Sequence, residues 1–402
     1  MTDLVMERDP YLPWVDPEFR KNPYPWYAKL QQEKPVYKMS ERDFVVSRYD
    51  DYIEYLKHPA MSMTEPDWVK PHSWRIFKDT VLFYNPPRHT EARRHMAKWF
   101  TPKMSREWTK HTAQVARDEL AKISSDGVVE AHHHLCVLPA HITMCRILQV
   151  DESDPEGVIE NTLRIVMAQS PVSTAEQEAD SLKGFDYLFG RCRDMIADKR
   201  RNPGSGMLDA LLAAQDRGEV SADEVLETLV LLYFSGAPNP AYVLASSLEH
   251  FARNPEVLSV YREQPEKRLA IVNELFRLYP PEISFTRFVT EDIEIRGVHI
   301  PKGSRIRFMT AAANRDEDVF ENPNEFDYTR PPEKSHNVTF GVGTHSCAGQ
   351  IISRAEVETV LTVIADAVEK IELAGEPMFM SDDRIRNYTA LPLRLFMRSD
   401  AI

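Results

Sequence analysis

The chain has 402 residues, with 49 Lys and Arg against 62 Asp and Glu, a net charge of −13. Such an acid excess is not the surface of a general nucleic-acid binder, which needs cations to neutralise phosphate. With 43% hydrophobic and 28% charged residues, the chain is neither disordered nor membranous, and its longest apolar run, Leu229 to Phe234, is far short of the roughly 18 residues that span a bilayer. Met1 to Pro10 shows no basic region followed by an apolar stretch, so no signal peptide or anchor is expected and the cytoplasm is the expected location. Cys136, Cys145, Cys192 and Cys347 form no C-x-x-C pair, which argues against a disulfide framework and against zinc held by such pairs.

Glycine is scarce (14) and proline abundant (28), a balance that suits long helices with ordered connections. No repeat, linker or low-complexity tract divides the sequence, so one domain over 1–402 is expected. In chain order, Val36 to Val46 reads as a short β portion. His132-His133-His134 invites a metal reading, but neighbours on a helix point about 100° apart and do not converge on one ion. Leu182 to Lys199 and Ser221 to Arg253 carry apolar residues at helical spacing. Ser221 and Glu224 form a capping box, from which one helix of about 30 residues is predicted. Another helix covers Pro265 to Tyr279, stopped by Pro280-Pro281. Phe288 to Ile300 alternates with period two and turns at Gly297, as a hairpin does. Phe326 to Pro332 is proline-bounded coil, and Ile351 to Ala374 is helical again. The fold class is mainly α with small β-sheets.

Phe340-Gly341-Val342-Gly343-Thr344-His345-Ser346-Cys347-Ala348-Gly349 is the most specific stretch. Its glycines let the backbone approach something flat and large. A helix starting after Cys347 would aim its first amides at the sulfur, lower its pKa and favour the thiolate. Such a thiolate can ligate iron, attack a carbonyl or form a disulfide; the plain alternative is a thiol that only packs.

This loop resembles the haem-ligand loop of the cytochrome P450 family, the haem-thiolate monooxygenases, and the match continues through Ile352, Arg354 and Glu356. Asn85 to Arg94 resembles the family's D-P-P-x-H-x-x-x-R helix start, Glu274 to Arg277 its E-x-x-R, and Ala312 to Asp316 with Phe320, Pro323, Phe326-Asp327 and Arg330 its A-N-R-D segment. The resemblance implies a single large domain with haem b between a long distal helix and a proximal cysteine loop. It implies Cys347 as the iron ligand, with Phe340, Gly341 and Gly349 in the cofactor loop. Haem has two propionates, for which His89, Arg93, Arg287 and His345 are the expected cationic donors. Glu274, Arg277 and Arg330 are expected to form a buried charged network rather than an exposed ion pair. The substrate walls expected by the same resemblance are Met61 to Phe83, the region of Met167, Gln169 and Ser170, Tyr233 to Tyr242, Ile283 to Thr286, and Tyr388-Thr389. These walls suit a medium-sized, partly polar organic molecule.

One motif departs from the family. Where A-G-x-[D/E]-T is usual, the chain has Ser235-Gly236-Ala237-Pro238-Asn239-Pro240. Gly236 is in place, the acid is Pro238 and the alcohol is Asn239, which hydrogen-bonds but is a poor proton source. Gly236 and Asn239 are the catalytic candidates of this segment. With no cysteine set for an iron–sulfur cluster and no flavin domain, electrons are expected from a separate ferredoxin and ferredoxin reductase. Arg88, Arg94, Lys98 and Lys103 form a strip that fits an acidic ferredoxin; a solvated helix face is the plain reading. The expected activity is oxidation of a small organic substrate with dioxygen and two electrons. The alternatives are oxidative C–C, C–N or C–O bond formation, and a haem-binding or sensing protein without turnover. Neither nucleic acid nor membrane is an expected partner.

Overall fold

Side-chain caps and prolines set many of the helix boundaries. The computed structural model describes residues 9–123, 127–168, 170, 172–379 and 388–399. Its helices of eight or more residues are α1 (Tyr24–Glu33), α2 (Tyr49–Leu56), α3 (Arg88–Ala97), α4 (Pro102–Leu120), α5 (Leu138–Leu148), α6 (Pro155–Met167), α7 (Ala175–Arg201), α8 (Met207–Asp216), α9 (Ala222–Gly236), α10 (Pro238–Arg253), α11 (Pro255–Glu263), α12 (Arg268–Leu278) and α13 (Gln350–Ala367). Thr101 caps α4, Asp154 caps α6, and capping boxes open α7 at Thr174 and α9 at Ser221. In each, a side-chain oxygen satisfies an amide that the helix start leaves without a partner.

The strands are short: β1 (Val36–Lys38), β2 (Asp43–Val46), β3 (Met61–Ser62), β4 (Val128–Glu130), β5 (Phe285–Val289), β6 (Ile293–Ile295), β7 (Val298–Ile300), β8 (Arg305–Phe308), β9 (Val368–Leu373), β10 (Met378–Phe379), β11 (Tyr388–Ala390) and β12 (Pro392–Met397). One sheet has the order β1-β2-β8-β5-β3, in which β2 pairs parallel with β8 while the other pairs are antiparallel. A second has the order β4-β12-β9.

Three expectations change. The helix predicted over Ser221 to Arg253 is two helices, because it stops at Gly236 and restarts at Pro238. The helix predicted over Ile351 to Ala374 ends at Ala367, and Val368–Leu373 becomes β9, drawn into extended form by pairing with β12. The hairpin predicted over Phe288 to Ile300 is confined to β6 and β7; Phe288 lies on β5, which pairs with β8 and β3. The hairpin turn falls where Arg296 and Gly297 both have positive φ (49° and 77°), the backbone a two-residue turn of this hand requires.

The helix α10 is central. Ala241 to Leu248 are buried, packed against α13, β9 and the wide-turned helix His132–Val137. Arg287 is on β5, His89 and Arg93 on α3, and Cys347 just before α13. Among the described residues no helix is long and apolar enough to cross a membrane.

Candidate functional site

The cysteine loop is held by its own backbone. The amide of Cys347 donates to the carbonyl of Phe340 at 2.8 Å, that of Ser346 to Gly343 at 3.0 Å, and that of Gly341 to Val338 at 2.9 Å. Gly341 and Gly343 have φ of +66° and +77°, a left-handed backbone that side chains resist. A Cβ on Gly343 would meet the Lys57 side chain at 3.1 Å. Cys347 is exposed, whereas Cys136, Cys145 and Cys192 are buried. Although the residue has open surface, the protein packed around its sulfur pushes the Cys347 thiol up, and the amides of Gly349 and Gln350 pull it down only in part. The lowering expected from the helix start is therefore not reached. A coordinated metal is what would take the thiol to thiolate.

Beside the loop four basic groups converge. The rings of His89 and His345 lie 4.1 Å apart between centroids, and Arg93 Nη1 donates to the carbonyl of Thr344 at 3.1 Å. Arg287 is buried, yet its bond is to the carbonyl of Thr286, at 2.7 Å. Burial pushes His345 down to about 3, with the charges of Arg287, His89 and Arg93 acting in the same direction. His89 is lowered by burial, then by Arg93 and Arg287, and Arg287 is pushed down to about 10 by burial. No carboxylate pairs with Arg93 or Arg287 among the described residues, and the buried Nδ1 of His89 has no hydrogen-bond partner there. Two arginines without a carboxylate partner, beside two imidazoles that burial keeps uncharged and one unpartnered ring nitrogen, suit an anionic ligand. Haem meets each need: its propionates match the basic cluster, and its iron needs one protein ligand, which the exposed thiol can supply.

The network behind the loop is dense. Arg277 donates to Glu274 at 2.8 and 2.6 Å and to the carbonyls of Asn314, Pro323 and Glu325. Arg330 Nε reaches Glu274 Oε1 at 3.2 Å. Asn314, whose role the sequence did not disclose, donates to Thr339 Oγ1 and accepts from the Val338 amide, both at 2.8 Å. It thus joins the acid–arginine network to the start of the cysteine loop. Arg354 is likewise structural: its guanidinium lies over the rings of Phe276 and Phe340 and bonds Asn273 Oδ1 at 2.9 Å.

On the other helix pair, the break falls at Ala237 (φ −102°, ψ −48°). Pro238 and Pro240 then stand in the first turn of α10, where an amide has no helical partner to lose. The cost of about 3 kcal/mol expected for each proline within a helix does not apply. Asn239 is half-exposed and its side chain makes no hydrogen bond among the described residues. A Cβ on Gly236 would collide with Met144 Cε, so this glycine admits close packing against α5.

The residues expected as substrate walls have the following surroundings. Tyr388 is buried in the core, its ring tilted against those of Tyr242 and Phe379, with its hydroxyl donating to Glu249 at 2.6 Å. Ile283 is buried with Leu12, Trp14 and Met309. Thr389 is exposed and Met167 half-buried, while Gln169 lies outside the described residues. The Tyr233 hydroxyl turns to Cys145 and Arg191. The three histidines part company: His134 goes to Glu119, His133 to Glu156, and His132 lies near the Tyr388 ring. Two clefts away from the cysteine loop, one beside Lys98 and Trp99 and one beside Thr80 and Glu224, are separate from these groups.

The family model for cytochrome P450 matches residues 269–366. The chain is 26% identical over 371 residues to the biotin biosynthesis cytochrome P450 of Bacillus subtilis, covering 89% of this chain and 92% of that protein. It is 27% identical over 399 residues to the vitamin D(3) 25-hydroxylase of Pseudonocardia autotrophica, covering 95% and 96%. The fold is similar to that of a Bacillus megaterium cytochrome P450 solved with testosterone, with a TM-score of 0.86 at 22% identity over 94% of this chain and 98% of that one. The loop, the cation cluster and these likenesses agree: the matching family model, the curated relatives and the solved structure are all cytochrome P450s, and the chain is similar to oxidoreductases of that type.

Proposed function

We propose that the chain binds haem b through the Cys347 thiolate and oxidises a small, partly polar organic molecule. Dioxygen and two electrons are consumed, the electrons coming from a separate ferredoxin and its reductase. The observation that carries this reading is the exposed Cys347 beside two arginines, Arg93 and Arg287, that have no carboxylate partner among the described residues, and the paired rings of His89 and His345. When bound, haem supplies redox and dioxygen chemistry that no side chain provides. Arg93, Arg287, His89 and His345 hold the propionates. Glu274, Arg277 and Arg330 keep the loop in place. Replacing Cys347 with His is expected to leave haem bound but abolish the thiolate signature of the ferrous carbonyl spectrum; retention of that signature would remove Cys347 as ligand.

Oxidative bond formation in place of oxygen insertion is a second reading, favoured by Pro238 and Asn239. Neither side chain is a good proton donor, so protons for dioxygen cleavage come from water or from an acidic group of the substrate, which the Asn239 amide is free to orient. Product analysis under labelled dioxygen separates the readings: label in the product means insertion, and a coupled product without label means bond formation.

A further inference from the structure

We propose that Glu224, in the first turn of α9, is a positioning residue for the propionate-binding pair His89 and Arg93: by holding Arg88 and Tyr84 it fixes the start of α3, and so the reach of both side chains. The inference rests on the haem reading above for what the pair binds; the hold on α3 is a property of the chain alone.

The helix α3 is poorly anchored by apolar packing. Of its ten residues only His89 and Met96 are buried, and a helix this short has little stability of its own. Its start is also unfavourable. Pro87 stands at the cap and offers no side-chain bond to the free amides, and Arg88 puts a cation in the first turn, the end where the backbone dipole favours an anion. Within α3, Glu91 is exposed and reaches Arg88 only at 3.7 Å. Polar ties to other elements must therefore settle where α3 lies.

Glu224 supplies such a tie. Arg88 Nη2 donates to Glu224 Oε1, and the hydroxyl of Tyr84, just before α3, donates to the same oxygen at 3.0 Å. The carboxylate is itself held: Oε2 accepts from the Ser221 amide at 2.9 Å, and the Glu224 amide donates to Ser221 Oγ at 3.1 Å. One acid thus serves two helix starts, closing the capping box of its own and neutralising the cation of the other. A second tie between the two regions is weaker, His95 lying 3.8 Å from the exposed Glu219. A void of about 20 Å³ is left between Tyr84, Ala92, His95 and Thr228, so packing alone does not lock α3 to α9. Arg88, Ala92 and His95 recur at helical spacing and form the face of α3 turned to α9. His89 and Arg93, each one position on from Arg88 and Ala92, form the adjacent stripe, which meets the His345 ring and the Thr344 carbonyl. Any roll or slide of α3 at its start therefore carries His89 and Arg93 with it.

The test uses Glu224→Gln, because Gln also closes a capping box and still accepts from Tyr84, while the charge facing Arg88 is lost. Arg88→Gln leaves the start of α9 untouched and decides the matter if the first variant unravels α9. Three measurements are made on the haem-loaded chain: amide hydrogen exchange over α3, the rate of haem transfer to an acceptor protein, and the ferric-to-ferrous ratio at a fixed potential. Either substitution should quicken exchange over α3 about 5-fold, with exchange in α13 as in the parent. The double variant should be no faster than the single ones, since all three remove the same interaction. Haem transfer should quicken by about the same factor of 5. The ferric-to-ferrous ratio should rise about 3-fold, because propionate charge that is less well neutralised favours the oxidised iron; a helix that is merely less stable does not move this ratio. Exchange over α3 that is unchanged in both single variants, or additive in the double one, overturns the hold. Faster exchange with either haem transfer or the ratio at the parent's value overturns the positioning of His89 and Arg93. Failure of the haem reading is distinct: the parent itself would then show no haem band, while exchange over α3 in the chain as purified would still respond to both substitutions.

Discussion

At the scale of single residues, charge without a partner is what marks function here. Arg277 is as buried as Arg287, but its donors are spent on Glu274 and three carbonyls, whereas Arg287 has its neighbour's carbonyl. Neutralising Arg93 and Arg287 together as glutamines is expected to weaken haem retention by about 1.5–3 kcal/mol per charged hydrogen bond lost, measured as the rate of haem transfer to an acceptor protein. Retention equal to the parent's would put the propionates elsewhere. Glu227 on α9 is the converse case, an acid in the wrong company. Its Oε2 is buried without a partner, and burial, then Asp79 and Asp223, push it up to about 7. A carboxyl whose folded value exceeds its unfolded one keeps a proton that the unfolded chain releases, so its contribution is fullest below the unfolded value and is lost as pH rises through about 7. Glu227→Gln should therefore flatten the fall in melting temperature between pH 5 and pH 8, and raise it at pH 8; a fall as steep as the parent's would mean that other groups govern it.

At the scale of elements, the break at Ala237 decides how the departure from the family motif is read. If Pro238 and Pro240 were strained interior prolines, replacing both with Ala would gain about 3 kcal/mol each. In the first turn of α10 the expected change is below about 1 kcal/mol. Denaturant midpoints check this: a gain of about 3 kcal/mol per site would make them interior prolines. The two helix starts show what a sequence discloses. The Ser221–Glu224 box is local chemistry and could be read directly. The break at Ala237 could not, because an apolar stripe continues on both sides of it and proline favours a helix start as much as it disfavours an interior. The end of α13 was hidden for another reason: Val368 to Leu373 are strand only because β12, far along the chain, pairs with them. The cysteine loop, the histidine–arginine spacing on α3 and the Glu274–Arg277 pair were legible as motifs. The directions of Tyr388 and Ile283 were not, since an apolar or aromatic residue suits a cleft wall and a core equally until packing chooses.

At the scale of the molecule, the excess of acid is unevenly spread. Arg94 and Lys98 are exposed at α3, and Lys57 lies against the cysteine loop. Two members of the expected strip sit differently: Arg88 pairs with Glu224, and Lys103 belongs to α4 rather than α3. Reversing Arg94 and Lys98 to Glu should slow reduction by an acidic ferredoxin at low salt and shrink its ionic-strength dependence; an unchanged salt slope would move the electron donor to another face. The parallel pairing of β2 with β8 has a consequence for the order of assembly. Asp43 on β2 and Arg305 on β8 are 262 positions apart in the chain, so β2 finds its neighbour only after three-quarters of the polypeptide exists, and β5, the strand bearing Arg287, is made only shortly before. Closing so long a loop is slow, and at about 5–20 residues per second of synthesis the nascent chain spends many seconds with α3 made and β5 still missing. On the haem reading, capture of the cofactor is expected only after β5 and the cysteine loop exist, so haem supplied to stalled nascent chains should be retained only once residues beyond Gly349 have left the ribosome.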